Sequence, residues 1–345
     1  MVTYGFPLRF PSLNRVSYIF SPLILFILIT GCAATSRDII KDGATLHEST
    51  DRVKMSENYA VVLANPSDTY ESLAEKYLRD KNLAYIIAEF NKNKNITADQ
   101  PIVIPLKPVN PGGIMPEGYQ TVPVLCYHQF SSKKSRTKIA VSAEMFDGHM
   151  AYLKDNGYHV ITLSTLRDFI EYKQRPPKNS VVITIDDGWK TMKTIAFPIL
   201  KKYGFKASLF VYTDLIRSEP NNVTLTWDEI KEMVDEGIID VQSHTITHGD
   251  LTKLSEESLE RELAESQRII KEHLGINATF IAYPYGTIDE RVMEKLKKYG
   301  YVAGFTVIRG GNAFYHHNYA LNRTMIFSNH SIDDFAELVG TFKKQ

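Results

Sequence analysis

The sequence has few cysteines, no excess of charge of either sign and no apolar run long enough for a comfortable membrane span. Only two of its 345 residues are cysteine, so disulfides contribute little to this fold. Forty basic residues balance forty acidic ones, which argues against nucleic acid or an anionic surface as the main partner. The apolar stretch near residues 18–29 is shorter than a membrane helix. What remains is a chain of ordinary composition, 43% hydrophobic, with room for about two domains.

The N-terminal segment has the features of an export signal. Arg9 and Arg15 precede the apolar stretch, whose length suits the core of a signal peptide. Small residues directly before Cys32 resemble a bacterial lipoprotein processing site, which implies removal of residues 1–31 and a lipid anchor on the cysteine. Ala33 then favours the outer membrane, facing the periplasm, in a cell with two membranes. The alternative is an ordinary signal peptide or short anchor with an incidental cysteine.

The second cysteine, Cys126, has no partner once Cys32 carries a lipid. It lies in the apolar run 122–126, where a small hydrophobic side chain is expected. We therefore predict a buried, inert thiol at this position.

A tether and a small domain follow the export signal. Residues 32–57 are polar and lack an apolar period, which indicates a tether. Residues 58–106 predict four elements in the order strand, helix, helix, strand, namely residues 59–62, a helix capped by Asp68, residues 83–90 and residues 102–105. This order resembles a LysM module, which implies binding of glycans rich in N-acetylglucosamine through the loops 65–70 and 91–96. The alternative is a small packing domain that has no ligand.

A linker and a longer β/α region complete the chain. Prolines and glycines within residues 107–120 predict the linker. In residues 121–345 five helix-like segments each end at a glycine that leads into an apolar strand, as in a parallel β/α fold. These glycines are Gly157, Gly204, Gly237, Gly275 and Gly300. The number of strands favours a distorted (β/α)7-type barrel over an open sheet, and the chemistry of such barrels lies where strands end.

Polar side chains collect at four of the predicted strand ends. They are the pair Asp186-Asp187, the pair His244 and His248, the turn from Tyr283 to Gly286, and Tyr127-His128. Two adjacent buried carboxylates need a compensating cation, and two histidines four residues apart offer it nitrogen ligands. One carboxylate with two imidazoles leaves positions open for water and substrate, as in a catalytic site. Zinc is the expected ion, and nickel, cobalt or iron accept the same ligands.

Two of these clusters carry the motifs of a known family. Residues 184–188 read Thr-Ile-Asp-Asp-Gly and residues 243–248 read Ser-His-Thr-Ile-Thr-His, which resemble the first two motifs of polysaccharide deacetylases with the NodB-type fold. The resemblance extends over residues 121–327. It implies that the metal is bound by Asp187, His244 and His248 and that Asp186 is the general base.

The sequence departs from the family pattern in two places. Ala282 stands where the third motif usually has the arginine that holds the base; Arg323 is our candidate replacement, and its alternative role is an ordinary salt bridge. The usual late histidine, the general acid, is not obvious either. The branch that deacetylates poly-N-acetylglucosamine takes this acid from an early Tyr-His turn, which residues 127–128 resemble, and this implies His128. His330, after the last strand, is the rival.

The same resemblance indicates how a sugar is bound. It implies that Pro284 and Tyr285 contact the substrate and that the backbone N–H of Tyr285 stabilises the oxyanion. Trp227 is a candidate for one wall of the sugar groove, and its alternative is a place in the core.

Together these expectations describe an exported, metal-dependent polysaccharide N-deacetylase. It would release acetate from an exported poly-N-acetylglucosamine-like polymer, from peptidoglycan or from a chitin-like glycan. Two alternatives stay open, a lipid-anchored glycan-binding protein without activity and a metal-dependent amide hydrolase of small substrates. An open groove around the site would count against the small substrate.

Overall fold

The computed structural model describes residues 52–133 and 137–344, in which short strands alternate with helices. All of them belong to one compact unit. The predicted signal peptide, Cys32 and most of the predicted tether lie outside the described residues. None of the described helices has the length and the apolar character needed to cross a membrane.

The first part of the described chain is a three-stranded antiparallel sheet with two helices. Its elements are β1 (Val53–Met55), β2 (Tyr59–Leu63), α1 (Tyr70–Leu78), α2 (Ala84–Phe90) and β3 (Pro101–Pro105). β2 is the central strand, and its alternate residues Ala60 and Val62 are buried with Leu73 and Ile87 in a small apolar cluster. The expected order of strand, helix, helix and strand is present between residues 59 and 105.

The structure differs from two local expectations in this part. The tether is shorter than expected, because Val53–Met55 form β1 and pair with β2. α1 is capped by Thr69 rather than by Asp68. The Thr69 hydroxyl accepts the N–H of Ser72 at 3.1 Å, and the Ser72 hydroxyl accepts the N–H of Thr69 at 2.9 Å. Asp68 instead closes the preceding turn with its carboxylate.

The remaining residues form the larger part of the fold. Its strands are β4 (Ile114–Met115), β5 (Gly118–Gln120), β6 (Val122–Tyr127), β7 (Gln129–Ser131), β8 (Ala140–Ser142), β9 (His159–Val160), β10 (Ser180–Asp187), β11 (Ala207–Val211), β12 (Ile239–Ser243), β13 (Phe280–Ala282), β14 (Ala303–Phe305), β15 (Gly311–Asn312), β16 (Thr324–Met325) and β17 (Phe342–Lys344). Its helices are α3 (Ala143–Asp155), α4 (Leu163–Ile170), α5 (Phe197–Tyr203), α6 (Trp227–Asp235), α7 (Glu256–Leu274), α8 (Glu290–Lys298) and α9 (Ile332–Leu338).

Six parallel strands make up the central sheet, in the order β14, β13, β12, β11, β10 and β6. The sheet is curled, because residues 321–325 contact both of its edges. Leu321 pairs with Phe305 at the end of β14, and β16 pairs with β6. The predicted α/β class is confirmed, and in place of the expected (β/α)7-type barrel the structure has a curled half-barrel sheet of six parallel strands. The carboxyl ends of these strands lie along one rim.

The two parts of the chain are in direct contact through α2. The Tyr85 hydroxyl donates to the carbonyl of Arg175 at 2.6 Å, and Glu89 forms an ion pair with the Arg175 guanidinium. The stretch expected to be a linker is partly ordered as well, since β4 and β5 form an antiparallel sheet with the C-terminal β17. This stretch is therefore an element of the fold.

The glycines that end the predicted helices have the expected conformation. All five have positive φ, and the values are 67° for Gly157 and Gly204, 71° for Gly237, 72° for Gly275 and 76° for Gly300. A residue without a Cβ adopts this left-handed conformation at little cost, so each helix can stop and the chain can turn directly toward the next strand.

β10 is the longest strand of the sheet, and all eight of its residues are buried. Its alternate residues belong to two different apolar clusters, because successive side chains of a strand point to opposite faces. Ile183 and Ile185 lie in the larger cluster, and Val182 lies in the other. Asp186 and Asp187 are the last two residues of this buried strand, so they lie at the rim of the sheet.

Candidate active site

Asp186 is held in an ion pair inside the protein. Its carboxylate is 1% exposed and accepts a hydrogen bond from Nη1 of Arg323 at 2.6 Å. Arg323 is itself fully buried and donates through Nε to the carbonyl of Thr306 at 3.1 Å. Burial raises the pKa of Asp186, but the charges of Arg323, His244 and His128 outweigh it and bring the pKa below its ordinary value. Asp186 is therefore an anion with a fixed orientation.

Besides His244, whose Nε2 atom lies 3.9 Å from Oδ2, two side chains approach this second oxygen of Asp186. The Cys126 Sγ atom lies 3.5 Å from Oδ2, and Nε2 of His128 lies 3.9 Å from the same oxygen. Burial raises the pKa of the Cys126 thiol well above its ordinary value, so this thiol is protonated and donates to the carboxylate. The expectation of an inert core thiol is correct for burial, but Cys126 also contacts the site.

Asp187, His244 and His248 form a cluster that could hold a metal ion. Oδ1 of Asp187 lies 3.8 Å from Nε2 of His244 and 3.7 Å from Nε2 of His248. A tetrahedral zinc ion with bonds of about 2.0–2.2 Å separates its ligand atoms by about 3.3–3.6 Å. The two distances from Asp187 therefore exceed those around a bound zinc ion by only a few tenths of an ångström, and all three donor atoms lie within 4.8 Å of one another.

The orientation of two of these side chains also suits a metal. His244 shares a 2.7 Å hydrogen bond between Nδ1 and the carbonyl of Ala282, so Nδ1 carries the proton and Nε2 offers its lone pair to the cluster. Burial lowers the pKa of His244 to about 4, which favours the neutral ligand form. The indole N–H of Trp189 donates to Oδ2 of Asp187 at 2.8 Å and leaves Oδ1 facing the histidines. The donor set and these supporting contacts fit a divalent cation.

A second cluster with possible ligand atoms contains Cys126, His128 and Asp186. It is less suited to a cation than the first, because Arg323 already neutralises Asp186 and the Cys126 thiol is protonated. Among the described residues, Asp187, His244 and His248 are therefore the better metal site.

The backbone is strained at three of the strand ends that meet here. Asp187 has φ 79°, Thr245 has φ 73°, His248 has φ 62° and Tyr285 has φ 62°. Residues other than glycine rarely adopt positive φ values, and those that do occur often at functional sites. At Asp187 the consequence is direct, because the left-handed turn separates its side chain from that of its neighbour Asp186.

The clusters open into a cavity of about 620 Å³. Its lining residues are His128, Ile139, Asp186, Asp187, Trp189, Tyr212, His244, Thr247, His248, Tyr283, Tyr285, Val307, Arg323 and Met325. Tyr285 is 66% exposed, and its ring meets that of His248 edge-on at 5.0 Å between centroids. The Tyr285 ring thus lies beside His248 of the Asp187, His244 and His248 cluster and remains largely exposed to solvent.

Three residues expected at the site lie elsewhere. Trp227 is 8% exposed in the core and stacks on His273 with ring centroids 4.4 Å apart, so it does not line the cavity. Pro284 is the first residue of the turn that contains Tyr285, and it is buried and does not line the cavity. His330 lines a separate cavity, and its Nδ1 accepts the N–H of Phe327 at 3.2 Å. Of the two histidines expected as alternatives for the general acid, His128 and not His330 lies beside Asp186.

Sequence reasoning missed Trp189 and Tyr212, which both line the cavity. Each follows the end of a parallel strand, Trp189 two residues after Asp187 and Tyr212 directly after β11. Their position at strand ends was the available signal, because the strand ends of a curled parallel sheet converge on one rim.

Comparison with known proteins agrees with this geometry. The sequence model of the polysaccharide deacetylase family matches residues 173–304. YxkH of Bacillus subtilis (strain 168), a protein named for the same family, is 32% identical over 222 residues, which cover 64% of this chain and 77% of YxkH. The chain belongs to the polysaccharide deacetylase family.

A second curated protein and a solved structure are also similar to this chain. The poly-beta-1,6-N-acetyl-D-glucosamine N-deacetylase of Staphylococcus aureus (strain MSSA476) is 31% identical over 190 residues, which are 52% of this chain and 64% of that protein. Among solved structures, the deacetylase PplD of Streptococcus pyogenes in complex with acetate has a TM-score of 0.59 and 26% identity. That match covers 65% of this chain and 99% of PplD.

Replacing Trp189 by phenylalanine tests the support of Asp187 in this deacetylase-family protein. The substitution keeps the apolar bulk and removes the N–H that holds Oδ2. We expect Zn²⁺ to bind about 10–100-fold more weakly, measured by competition with a chromogenic chelator. Trp227→Phe is the matched control, since it changes the second of the two tryptophans without touching the site. Equal affinity of Trp189→Phe and the wild type would exclude the supporting role.

Arg323→Met and Asp186→Asn test the buried ion pair by its stability. Arg323→Met leaves an unpaired buried carboxylate and should lower the free energy of unfolding by about 3–5 kcal/mol. The double variant should lose less than the sum of the single losses, because it leaves neither charge unpaired. Urea denaturation at neutral pH measures both effects. Arg268→Met, at an exposed arginine of α7, should change the stability little. Strict additivity would contradict the pairing.

Proposed function

We propose that this protein removes N-acetyl groups from a polysaccharide rich in N-acetylglucosamine by metal-dependent hydrolysis. The observation that carries the proposal is the arrangement in one cavity of a fixed anion, Asp186, beside a cluster of one carboxylate and two imidazoles. Such a cluster leaves coordination positions open, which is typical of catalytic metal sites. Membership of the polysaccharide deacetylase family supports the same reaction class.

In this proposal Asp186 is the general base. A divalent cation held by Asp187, His244 and His248 would polarise the acetyl carbonyl and lower the pKa of a water molecule. Asp186 takes a proton from the attacking water, and Arg323 keeps the carboxylate ionised and in place. In this proposal Arg323 holds the general base, a role that the third motif usually gives to an arginine at the position of Ala282.

His128 is the proposed general acid. Its Nε2 atom lies 3.9 Å from Asp186 Oδ2 and it lines the same cavity, so it can reach the amide nitrogen while Asp186 faces the water. The resemblance of the turn 283–286 to the third family motif supports the backbone N–H of Tyr285 as the donor that stabilises negative charge on the carbonyl oxygen as it develops. His128 gives its proton to the nitrogen as the C–N bond breaks, and the products are acetate and a free amine on the sugar.

The proposed substrate is a poly-N-acetylglucosamine-like polymer, with peptidoglycan and chitin-like glycans as the candidates to compare. The named activity of the S. aureus relative supports the first of these. Tyr285, exposed at the cavity wall, offers an aromatic face on which a sugar ring can stack. A cavity that continues to the surface at this residue favours a polymer over a small amide substrate.

Acetate release is the direct test of this function. We expect the purified protein to release acetate from poly-N-acetylglucosamine oligomers, and the release to stop when a chelator removes the metal. Asp186→Asn should lower kcat by at least about 100-fold, because the base is lost. Trp227→Phe serves as the control with a similar degree of burial outside the site. Absence of chelator-sensitive release from these oligomers, from peptidoglycan and from chitin oligomers would rule out the deacetylase.

We also propose that the protein works at the cell envelope, where Cys32 carries a lipid and residues 58–106 bind glycan. The signal-like sequence before Cys32 supports the first part. The order of strand, helix, helix and strand in residues 59–105 supports the second.

The lipid anchor has a simple test. Cells that express the full chain should incorporate labelled fatty acid into the protein and retain it in the membrane fraction. Cys32→Ser should abolish both the label and the retention, whereas Cys126→Ser should change neither, because that thiol is buried. Labelling of the Cys32→Ser variant at the wild-type level would refute the anchor.

A further inference from the structure

The loop that carries the two histidines of the metal cluster is strained. Between His244 and His248 the chain must turn within three residues, and Thr245 and His248 have φ values of 73° and 62°. A non-glycine residue in this conformation is strained and persists only when its surroundings hold it there. The residues that hold this loop therefore decide where the imidazole of His248 lies.

A buried carboxylate from another element binds the middle of the loop. Glu262, on α7, is 7% exposed. Its Oε2 atom accepts the N–H of Ile246 at 2.7 Å and the N–H of Thr247 at 3.0 Å. Its Oε1 atom accepts the Thr247 hydroxyl at 2.7 Å. One side chain thus satisfies two consecutive N–H groups that lie between the two metal ligands, as buried polar groups require.

The same face of α7 holds the start of the loop. Ser266 lies one helical turn after Glu262, and its hydroxyl is 2.8 Å from that of Ser243. The Ser243 hydroxyl in turn accepts the N–H of Thr245 at 3.1 Å. α7 therefore contacts the loop at two points, and Glu262 makes the contact nearer to His248.

His244 and His248 depend on this loop to different extents. His244 is fixed independently, because its N–H donates to the carbonyl of Val211 at 2.8 Å and its ring is bonded to the carbonyl of Ala282. His248 follows the strained turn, its N–H donates to the Thr245 hydroxyl at 3.2 Å, and its side chain is 26% exposed. The position of His248 is therefore the one that the loop controls.

We propose that Glu262 is a positioning residue of the metal centre: its carboxylate locks the loop 245–247 and so brings His248 to the distance from Asp187 that a cation requires. This inference rests on the proposed metal-dependent function. It assigns to Glu262 a role in metal affinity although the side chain contacts neither the metal cluster nor the cavity.

The contacts predict which substitution preserves this role. Glu262→Gln keeps the length of the side chain: its oxygen can replace Oε2 as acceptor of the two N–H groups, and its amide nitrogen can donate to the Thr247 hydroxyl. Glu262→Asp keeps the charge but is one methylene shorter, so it cannot reach all three donors. The two variants separate positioning of the loop from a simple electrostatic effect on the cation.

The experiment measures Zn²⁺ affinity of the full chain by competition with a chromogenic chelator, together with kcat and KM for acetate release at limiting and saturating Zn²⁺. Glu262→Asp should bind Zn²⁺ about 10–100-fold more weakly, and saturating Zn²⁺ should restore much of its kcat. Glu262→Gln should stay within about threefold of the wild type. Glu265→Ala, at an exposed glutamate of the same helix that pairs with Arg268, is the matched control and should bind like the wild type.

The outcomes distinguish this inference from the function on which it rests. If Glu262→Asp is folded by circular dichroism and binds Zn²⁺ like the wild type, the positioning role is wrong and the proposed function stands. If Glu262→Gln loses affinity and Glu262→Asp keeps it, the effect is one of charge and the positioning role is again wrong. If the wild type binds Zn²⁺ no better than His244→Ala, the metal centre itself is refuted.

Discussion

The ion pair between Asp186 and Arg323 joins parts of the chain that are 137 residues apart in sequence, and both side chains are almost fully buried. Arg323 directly precedes β16, in the segment that connects the two edges of the curled sheet. Removing two charges from water is costly, so such a pair contributes more to fixing a geometry than to net stability. The position of Asp186 and the electrostatics of the cavity depend on this contact, which lies in the same segment that joins the two edges of the curled sheet.

The two adjacent aspartates have separate tasks because the backbone turns between them. Asp186 continues the buried strand and meets Arg323, whereas Asp187, with φ 79°, directs its carboxylate toward the histidines. Two further residues support this arrangement. Trp189 donates a hydrogen bond to the carboxylate of Asp187, and Glu262 accepts hydrogen bonds from the loop that carries the histidines. Hydrogen bonds thus fix the side chains of both aspartates and the histidine loop around the cavity.

The short strands at the edges of the fold were the least predictable elements. β1, β4 and β5 have two or three residues each, which is too few for a period of alternating polarity to be visible. One of these strands, β5, also pairs with β17, which is more than 200 residues away in the sequence. The polar and proline-rich sequences of these segments therefore predicted a tether and a linker, because their hydrogen bonds to partner strands cannot be seen in the sequence.

From the sequence alone came the parallel β/α rhythm, the strand ends as the location of chemistry, and the set Asp186, Asp187, His244 and His248, because glycine positions, buried strands and ligand spacing are local properties. Only the tertiary structure decided which arginine faces Asp186, which of two histidines lies beside it, and which of two tryptophans reaches the site. Trp189 and Trp227 are the same residue type in the sequence, yet the first donates to Asp187 and the second is buried in the core cluster. Such choices depend on contacts between segments far apart in the chain, which no local pattern encodes.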